Sequence, residues 1–226
     1  MSLKDLNSYI TYTIKERLTN TKDTSLNDFE KGEEIMLPNP KLESKVSLEE
    51  ALNNRRSVRN FSSKELSIEE VSQLLWAAQG ITKENTGFRT APSAGALYPL
   101  ELFIIKSDGA FHYIPDEHKL IKLTSEDLRS NLAQGASFQD FIADASINII
   151  ITAIYERTTT KYGDRGTRYV HMEAGHCCQN ILLQAQALSL GAVPIGAFDD
   201  SYIQKLLNLP EDYVPLYIVP VGHKAE

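Results

Sequence analysis

A run of apolar, mostly β-branched residues at 145–154 constrains the fold of this chain more than any other segment. The run contains five isoleucines and no charged side chain. β-Branched residues favour strands, and a continuous apolar run is typical of a strand that is covered on both faces. We therefore predict a buried central strand, which requires that other elements pack against both of its faces.

A long helix is predicted from about Tyr169 to Leu190, because Gly191 follows as a helix terminator. This helix is apolar on most faces, which is typical of a helix buried inside a domain or between two subunits. Residues 158–168, which precede it, are polar and are predicted to form a loop.

The other predicted elements are shorter and follow no regular strand–helix–strand order. Predicted strands cover residues 100–105, 110–114, 119–122, 192–198 and 213–221, and predicted helices cover 4–18, a short stretch after Ser47, 67–80, 125–134, 137–143 and 201–207. Ser47 and Ser67 each precede a glutamate three positions later, which predicts two capping boxes. The pattern favours an α+β sandwich that forms one domain over 47–226, preceded by a helix and an extended arm over 1–46.

Composition and charge exclude several classes of partner. The chain has 226 residues, 42% of them hydrophobic, and a formal net charge of -7. We expect no non-specific binding to nucleic acid or to an anionic membrane, because both require a basic surface. The sequence also lacks a secretory apolar core and an apolar run long enough for a membrane span. We therefore expect a cytoplasmic protein.

Neither the cysteines nor the histidines of the long helix predict a metal site or a disulfide. Cys177 and Cys178 are adjacent, which disfavours a bridge between them. His171 and His176 are five positions apart, which places them about 140° apart around a helix, so they do not share a face. We expect no bound metal.

Basic residues cluster in two regions that are distant in the sequence. The two groups are Arg55, Arg56, Ser57 and Arg59 after the short helix, and His223 and Lys224 after the last strand. Guanidinium groups bind phosphate oxygens bidentately, and a hydroxyl adds a donor. If the two groups converge, they form a phosphate site, whereas the first group by itself is typical of a solvated basic turn. The chain lacks the glycine patterns of Rossmann and P-loop nucleotide sites.

Two segments of small residues could approach a flat ring closely. The first comprises Pro92, Ser93, Ala94, Gly95 and Leu97, and the second comprises Pro194, Ile195, Gly196 and Ala197. Gly95 permits unusual dihedral angles, and Ser93 can donate or accept a hydrogen bond. Each segment by itself is also typical of an ordinary loop.

Lys161 and Tyr162 lie side by side in the predicted polar loop, directly before Gly163. A lysine beside a tyrosine can transfer protons when the pair is partly buried. The alternative is a charged surface loop that leads into the long helix.

In their order along the chain, these segments resemble the nitroreductase superfamily, and specifically its SagB-type dehydrogenase branch. The resemblance is carried by Arg55–Phe61, Pro92–Glu101, Arg168–His176 with Gln179-Asn180, and Gly196–Asp200. It extends from about residue 50 to the C-terminus. It implies an α+β sandwich with a central mixed or antiparallel sheet, a long buried helix, and a domain-entwined homodimer that holds FMN at the subunit interface.

The resemblance also implies roles for the candidate residues. The phosphate and ribityl chain of FMN would be held by Arg55, Arg56, Ser57, Arg59, Lys224 and His223. The segment from Pro92 to Leu97 would lie against the flavin ring, in one arrangement from the other subunit. The segment from Pro194 to Ala197 would face the opposite side of the ring or its N5 edge.

Several activities are compatible with this resemblance. The first is reduction of a small acceptor, such as a quinone or a nitro compound, with NAD(P)H as electron donor and flavin N5 as the hydride carrier. The second is oxidation of thiazolines or oxazolines in peptides, with Lys161 and Tyr162 assisting proton removal. The third is a flavin-binding or flavin-fragmenting protein without an external substrate, and the fourth is a binding protein that has lost the cofactor.

Overall fold

The computed structural model describes residues 32–83 and 85–225 of the chain. The helix predicted over 4–18 lies outside the described residues, so it stays a prediction, as does the division of the chain at residue 46.

An antiparallel sheet forms the centre of the structure. Within residues 32–83 and 85–225 it has seven strands, in the order β1-β6-β5-β4-β7-β9-β8. The strand bounds are β1 Glu34–Met36, β4 Leu100–Lys106, β5 Gly109–Ile114, β6 Lys119–Thr124, β7 Ile147–Ile154, β8 Leu190–Ala192 and β9 Tyr213–His223. Two further short strands, β2 Ile81–Lys83 and β3 Phe88–Arg89, pair only with each other. The strands predicted over 100–105, 110–114, 119–122 and 213–221 are confirmed.

Helices cover both faces of this sheet. Their bounds are α1 Leu48–Asn54, α2 Ile68–Gln79, α3 Arg129–Gly135, α4 Phe141–Asp144, α5 Glu156–Tyr162, α6 Arg165–Ala187 and α7 Asp200–Leu206, with a 3-10 turn at Ala94–Ala96. None of the helices within the described residues has the length and apolar character that a membrane crossing requires.

Strand β7 is the predicted central strand, and all eight of its residues are buried. Its alternating side chains point into two separate cores. Ile149 and Ile151 pack with residues of α2 and α6, while Ile150 and Ile154 pack with residues of α3, α4 and α7. The predicted α+β sandwich with a central antiparallel sheet and a long buried helix is therefore confirmed.

The prediction of a polar loop over 158–168 is wrong. Helix α5 ends at Tyr162, Gly163 turns the chain at a φ of 56°, and α6 begins at Arg165. The two helices pack closely, because a side chain on Gly166 would lie 2.8 Å from the Cα atom of Thr159. Most side chains here face solvent, so no apolar periodicity reveals the helices.

The prediction of a strand over 192–198 is also wrong. Strand β8 ends at Ala192, and Ile195 then pairs with Ile218 as an isolated bridge. The amide of Val193 donates to the carbonyl of Pro220, but Pro220 has no N–H with which to return a hydrogen bond to Val193, so the ladder is interrupted there. The long helix likewise ends at Ala187, before the predicted Leu190, because Leu190 is the first residue of β8.

Of the two predicted capping boxes, the one at Ser67 is confirmed, and the one at Ser47 forms only one of its two hydrogen bonds. Ser67 and Glu70 form a complete capping box at the start of α2. Ser47 accepts a hydrogen bond from the backbone of Glu50 at the start of α1. The structure also shows that the Asp199 side chain accepts from the backbone of Tyr202 at the start of α7.

Candidate functional site

Backbone pairing brings the two basic groups of the sequence together. Ser57 pairs with Ala192 at the edge of the sheet, and the amide of Val58 donates to the carbonyl of Ala192 at 3.1 Å. Phe61 pairs with Lys224. The segment 57–62 therefore runs along the edge formed by β8 and the end of β9.

Gly191 allows this close approach. A side chain there would lie 2.6 Å from Cγ1 of Val58 and 3.3 Å from Cγ of Lys224. Only a residue without Cβ leaves room for both neighbours.

We name Arg55, Arg56, Arg59 and Lys224 the cation cluster. Within residues 32–83 and 85–225, no ion pair joins any of its members to a carboxylate. Arg56 donates to the carbonyls of Asn53 at 2.9 Å and Arg55 at 2.8 Å, at the end of α1. Ser57 is exposed beside the cluster. The cluster therefore presents cationic groups that the described carboxylates do not neutralise.

The remaining two cations of the cluster have neutral neighbours. The Arg59 guanidinium lies 5.8 Å from the centre of the Phe141 ring, and the Lys224 Nζ lies 3.5 Å from the Gln186 Oε1. Neither contact adds a negative charge.

The side chain of His223 departs from the role expected of it beside Lys224. Its Nε2 lies 3.7 Å from the Glu70 carboxylate on α2. Successive side chains of a strand point to opposite faces, so Lys224, which follows it, points elsewhere. The structure thus brings Lys224 towards the arginines and places His223 beside an acidic group.

The segment Pro92–Leu97 forms a tight turn in front of β4. Gly95 has a φ of 64°, and Ala96 and Tyr98 also have positive φ values of 54° and 46°. Non-glycine residues rarely adopt this conformation, and it is concentrated at functional sites. The amide of Tyr98 donates to the Ser93 hydroxyl at 2.9 Å and closes the turn.

Lys161 and Tyr162 lie against this turn. A side chain on Gly95 would lie 2.8 Å from the Tyr162 hydroxyl and 3.1 Å from the Lys161 Nζ. Two candidates that are separate in the sequence therefore form one site, which has Gly95 at its centre. The lack of a side chain at Gly95 makes room for Lys161 and Tyr162 of the same chain.

The segment Pro194–Ala197 lies along the outer side of β9. Gly196 and Ala197 are exposed, and a side chain added to Gly196 would meet no atom within 4 Å. Ala197 borders a cleft of about 600 Å³ that is also lined by Phe138, Phe198 and Tyr202. This segment is open to a ligand.

Within one chain, the two small-residue segments lie far apart. The segment 194–197 flanks β9, while the segment 92–97 leads into β4, and β7 lies between these strands. Three inter-strand spacings correspond to about 14 Å. The cation cluster is also distant from Gly95. Val221 pairs with Ile147, whereas Leu100 pairs with Ala153, six residues further along β7, which is about 20 Å.

A model of the nitroreductase family matches residues 52–223 of this chain. The chain belongs to the nitroreductase family. A protein of Methanocaldococcus jannaschii that is named as a nitroreductase is 47% identical over 199 residues, which cover 85% of this chain and 98% of that protein. The microcin B17-processing protein McbC of Escherichia coli is 29% identical over 174 residues, which cover 71% of this chain and 63% of McbC.

A solved structure agrees with this assignment to the nitroreductase family. The crystal structure of a Ralstonia eutropha protein, also named as a nitroreductase, superimposes with a TM-score of 0.78 and 29% identity. The match covers 85% of this chain and 90% of that chain. The predicted resemblance to the nitroreductase superfamily is confirmed.

Sequence reasoning missed Glu101 and Arg157, which support the turn in this nitroreductase-family chain. The Arg157 guanidinium lies 2.6 Å from the Glu101 carboxylate and 3.2 Å from the carbonyl of Tyr98. Burial opposes ionisation of Glu101, but Arg157 and His112 outweigh it and hold its pKa at about 2. This ion pair ties the first turn of α5 to the end of the 92–97 segment. The available signal in the sequence was an acidic residue among the apolar residues at the start of β4.

Glu173 of α6 was also missed. Its side chain is 2% exposed, and its Oε1 has no hydrogen-bond partner among the described residues. Burial raises its pKa to about 7, although the nearby Ser93 hydroxyl and the charge of Arg89 act in the opposite direction. The feature of the sequence that could have revealed Glu173 was a glutamate on an otherwise apolar helix face.

The described residues contain no group of three or more histidine, cysteine, aspartate or glutamate side chains that is arranged to hold a metal ion. Cys177 and Cys178 are both free thiols and buried. The Nε2 of His171 pairs with the Tyr155 hydroxyl at 2.5 Å.

The raised pKa of Glu173 predicts a pH-dependent stability. The folded protein holds this proton up to about pH 7, whereas the unfolded chain releases it near the ordinary pKa of 4.5. The contribution of Glu173 to the free energy of unfolding should therefore fall by roughly 3 kcal/mol as the pH rises from about 4 to about 8. Urea denaturation across this range measures the fall, and the low pKa of Glu101 keeps that residue ionised throughout.

The substitution Glu173→Gln removes the titrating group, so this fall in the free energy of unfolding should disappear. The matched control is Glu211→Gln, which changes an exposed glutamate in the turn before β9 and should leave the fall intact. The same fall in wild type and in Glu173→Gln would show that Glu173 does not titrate in this range.

Proposed function

We propose that this chain is an FMN-dependent oxidoreductase that uses NAD(P)H to reduce a small acceptor of the quinone or nitro type. The observation that carries the proposal is the exposed cation cluster, which has no carboxylate partner among the described residues and which adjoins the open 194–197 segment. Guanidinium and ammonium groups without carboxylate partners are suited to binding phosphate.

The residues present fit FMN at both of its ends. The cation cluster with Ser57 would hold the phosphate, and the exposed backbone of Gly196 and Ala197 would lie along the ring. Bound FMN supplies hydride transfer, while the protein supplies position and electrostatics. The role of the chain is then to anchor the phosphate and to leave one side of the ring open for the acceptor.

A second copy of the chain would complete this site. A ring beside Gly196 cannot also touch Gly95 of the same chain, because β9, β7 and β4 separate the two segments. A homodimer in which the 92–97 turn of one subunit covers the ring held by the other satisfies both contacts. The two subunits of this homodimer would be entwined, as the family resemblance implies, and the dimer would have two equivalent sites.

Oxidation of azolines in peptides is a second candidate function. The observation that favours it is the contact of Lys161 and Tyr162 with the Gly95 turn, together with the similarity to McbC, a microcin B17-processing protein. Lys161 or Tyr162 would remove the proton from the azoline ring. The family resemblance to SagB-type dehydrogenases, with their Lys-Tyr pair, supports this candidate.

Loss of the cation cluster should release the cofactor. The variant Arg56→Ala with Lys224→Ala should bind FMN at least tenfold more weakly than wild type, because charge-assisted contacts to phosphate contribute about 1.5–3 kcal/mol each. Flavin fluorescence on titration of the apoprotein measures the affinity. Lys64→Ala, which changes an exposed lysine outside the cluster, is the matched control. Equal affinity in all three proteins would refute the phosphate assignment.

Mixing two inactive variants should restore activity if the site spans two subunits. One partner carries the two cluster substitutions, and the other carries Gly95→Val, which places a side chain against Tyr162. In a heterodimer purified with two tags, one site has both defects and the other has neither. NADPH-dependent quinone reduction should then recover to about half of the wild-type value. A heterodimer as inactive as either parent would place the whole site within one chain.

Substitutions of the Lys–Tyr pair distinguish the two candidate functions. In the azoline reaction, Lys161→Ala and Tyr162→Phe should each lower turnover by about a hundredfold, because proton transfer by a positioned side chain contributes at least that much. The control is Thr160→Ala, an exposed neighbour on α5. The assay compares oxidation of azoline peptides with NADPH-dependent reduction of quinones. The proposal of an NAD(P)H-dependent reductase fails if neither NADH nor NADPH bleaches the flavin absorbance of wild type and if wild type oxidises only the peptides.

A further inference from the structure

Arg157 connects the helix that carries Lys161 and Tyr162 to the turn against which they lie, and neither candidate function assigns it a role. Its Nη1 donates to the Glu101 carboxylate at 2.6 Å and to the Tyr98 carbonyl at 3.2 Å. Tyr98 ends the turn, and Glu101 is the second residue of β4, the strand that follows it. One guanidinium nitrogen therefore binds both the end of the turn and the start of the sheet behind it.

Arg157 and Lys161 lie one turn apart on the same face of α5, because residues at positions i and i+4 of a helix are neighbours. Arg157 reaches the carbonyl of Tyr98 from this face. The Lys161 Nζ lies 3.1 Å from the place where a side chain on Gly95 would begin. Any shift of Arg157 relative to the turn is therefore transmitted through one turn of helix to Lys161 and to Tyr162, which follows it.

Helix α5 depends on tertiary contacts for its position. It has seven residues, no side chain caps its start, and of these seven described residues only Thr158 is buried. A helix this short is marginal by itself in water, so its neighbours must hold it in place. The close approach of Gly166 to Thr159 fixes α5 against α6. The contacts of Arg157 fix it against the turn.

Glu101 holds the Arg157 guanidinium in this place. Its side chain is largely buried, and its second carboxylate oxygen lies 2.9 Å from the His112 Nε2. Burial opposes ionisation of Glu101, but Arg157 and His112 outweigh it and hold its pKa at about 2. The His112 ring stacks on the buried Phe103 at 4.6 Å. A charge-assisted and directional contact thus links Arg157 to the core of the sheet.

The negative charge of Glu101 also makes the position of Lys161 favourable. Like charges at positions i and i+4 of a helix repel each other, and Arg157 and Lys161 have this spacing. The Glu101 carboxylate, at 2.6 Å from Arg157, neutralises the guanidinium. The pair therefore anchors α5 one turn away from Lys161 without adding a net positive charge.

We propose that Glu101 and Arg157 are positioning residues that hold Lys161 and Tyr162 against the Gly95 turn, where the Lys–Tyr pair meets its substrate. The reaction that this arrangement serves rests on the second candidate function, the oxidation of azolines in peptides. The coupling of α5 to the turn does not depend on a bound ligand.

The coupling is tested first in the apoprotein, by hydrogen exchange of single amides. The Gly163 amide reports on the end of α5, and the Tyr98 amide reports on the turn. Arg157→Ala should speed the exchange of both by about tenfold more than that of Ile149 in β7, because the contact that joins α5 to the turn is lost while the central strand keeps its pairing.

A second variant guards against a failure to fold, because Arg157→Ala leaves a buried carboxylate without its guanidinium. Glu101→Gln keeps the shape and an acceptor for Arg157, so it should fold and speed the same two amides several-fold. The combined variant should exchange no faster than Arg157→Ala, since the two residues act as one unit. Glu156→Gln makes the same change in an exposed glutamate of α5 and should exchange as wild type. Wild-type exchange in both Glu101→Gln and Arg157→Ala overturns the proposal.

The effect on the site is tested next, by kcat and KM for the oxidation of azoline peptides by the flavin-loaded enzyme. Arg157→Ala should lower kcat by about tenfold and leave KM unchanged, because it displaces the reacting side chains and not the peptide. In a protein that already carries Lys161→Ala and Tyr162→Phe, it should lower kcat no further, since the side chains that it positions are absent. The same tenfold loss in both backgrounds would show that Arg157 acts through another part of the site, and it would overturn the role proposed here.

These results separate the inference from the candidate function. If wild type oxidises no azoline peptide while Arg157→Ala and Glu101→Gln both speed exchange at Gly163 and Tyr98, the azoline function fails and the positioning of α5 stands. If wild type oxidises the peptides and neither variant changes the exchange of these amides, the positioning role fails and the azoline function stands.

Discussion

Burial of β7 on both faces is the constraint on which the rest of the structure depends. All eight of its residues are buried, and its alternating side chains point into two separate cores. Such a strand requires helices on both sides of the sheet. α2 and α6 cover one side, and α3, α4 and α7 cover the other. The length of β7 also separates the two ends of the sheet, so groups attached to opposite ends cannot meet within one chain.

Backbone hydrogen bonds bring the two distant basic regions of the chain together. The segment 57–62 pairs with Ala192 and Lys224, and it covers an edge of the sheet that would otherwise expose unpaired amides and carbonyls. Phe61 is buried where this segment crosses the end of β9. The mutual repulsion of the cations is small, because most of them face water, where solvent and salt screen their charges. A phosphate group would relieve what repulsion remains.

Two glutamates beside the 92–97 turn have very different pKa values, because they are packed in different surroundings. Glu101 follows the turn and has Arg157 at 2.6 Å, so it stays ionised, with a pKa of about 2. Glu173 lies beneath the turn, where burial dominates and raises its pKa to about 7. One carboxylate holds α5 against the turn through Arg157, and the other can exchange a proton near neutral pH. Environment sets these different roles.

The sequence by itself determined the elements in which apolar residues recur at the spacing of a buried strand or a helix face. The isoleucines of 145–154, the apolar faces of α6 and the cap at Ser67 were readable because each signal lies within one element. The helices within residues 158–168 could not be predicted, because the exposed side chains of this segment show no helical pattern of apolar residues. Only the tertiary structure decided that Tyr162 lies against Gly95, that the His223 side chain lies beside Glu70, and that the Glu173 side chain is buried. Contacts and desolvation depend on residues far apart in the chain, and no local pattern encodes them.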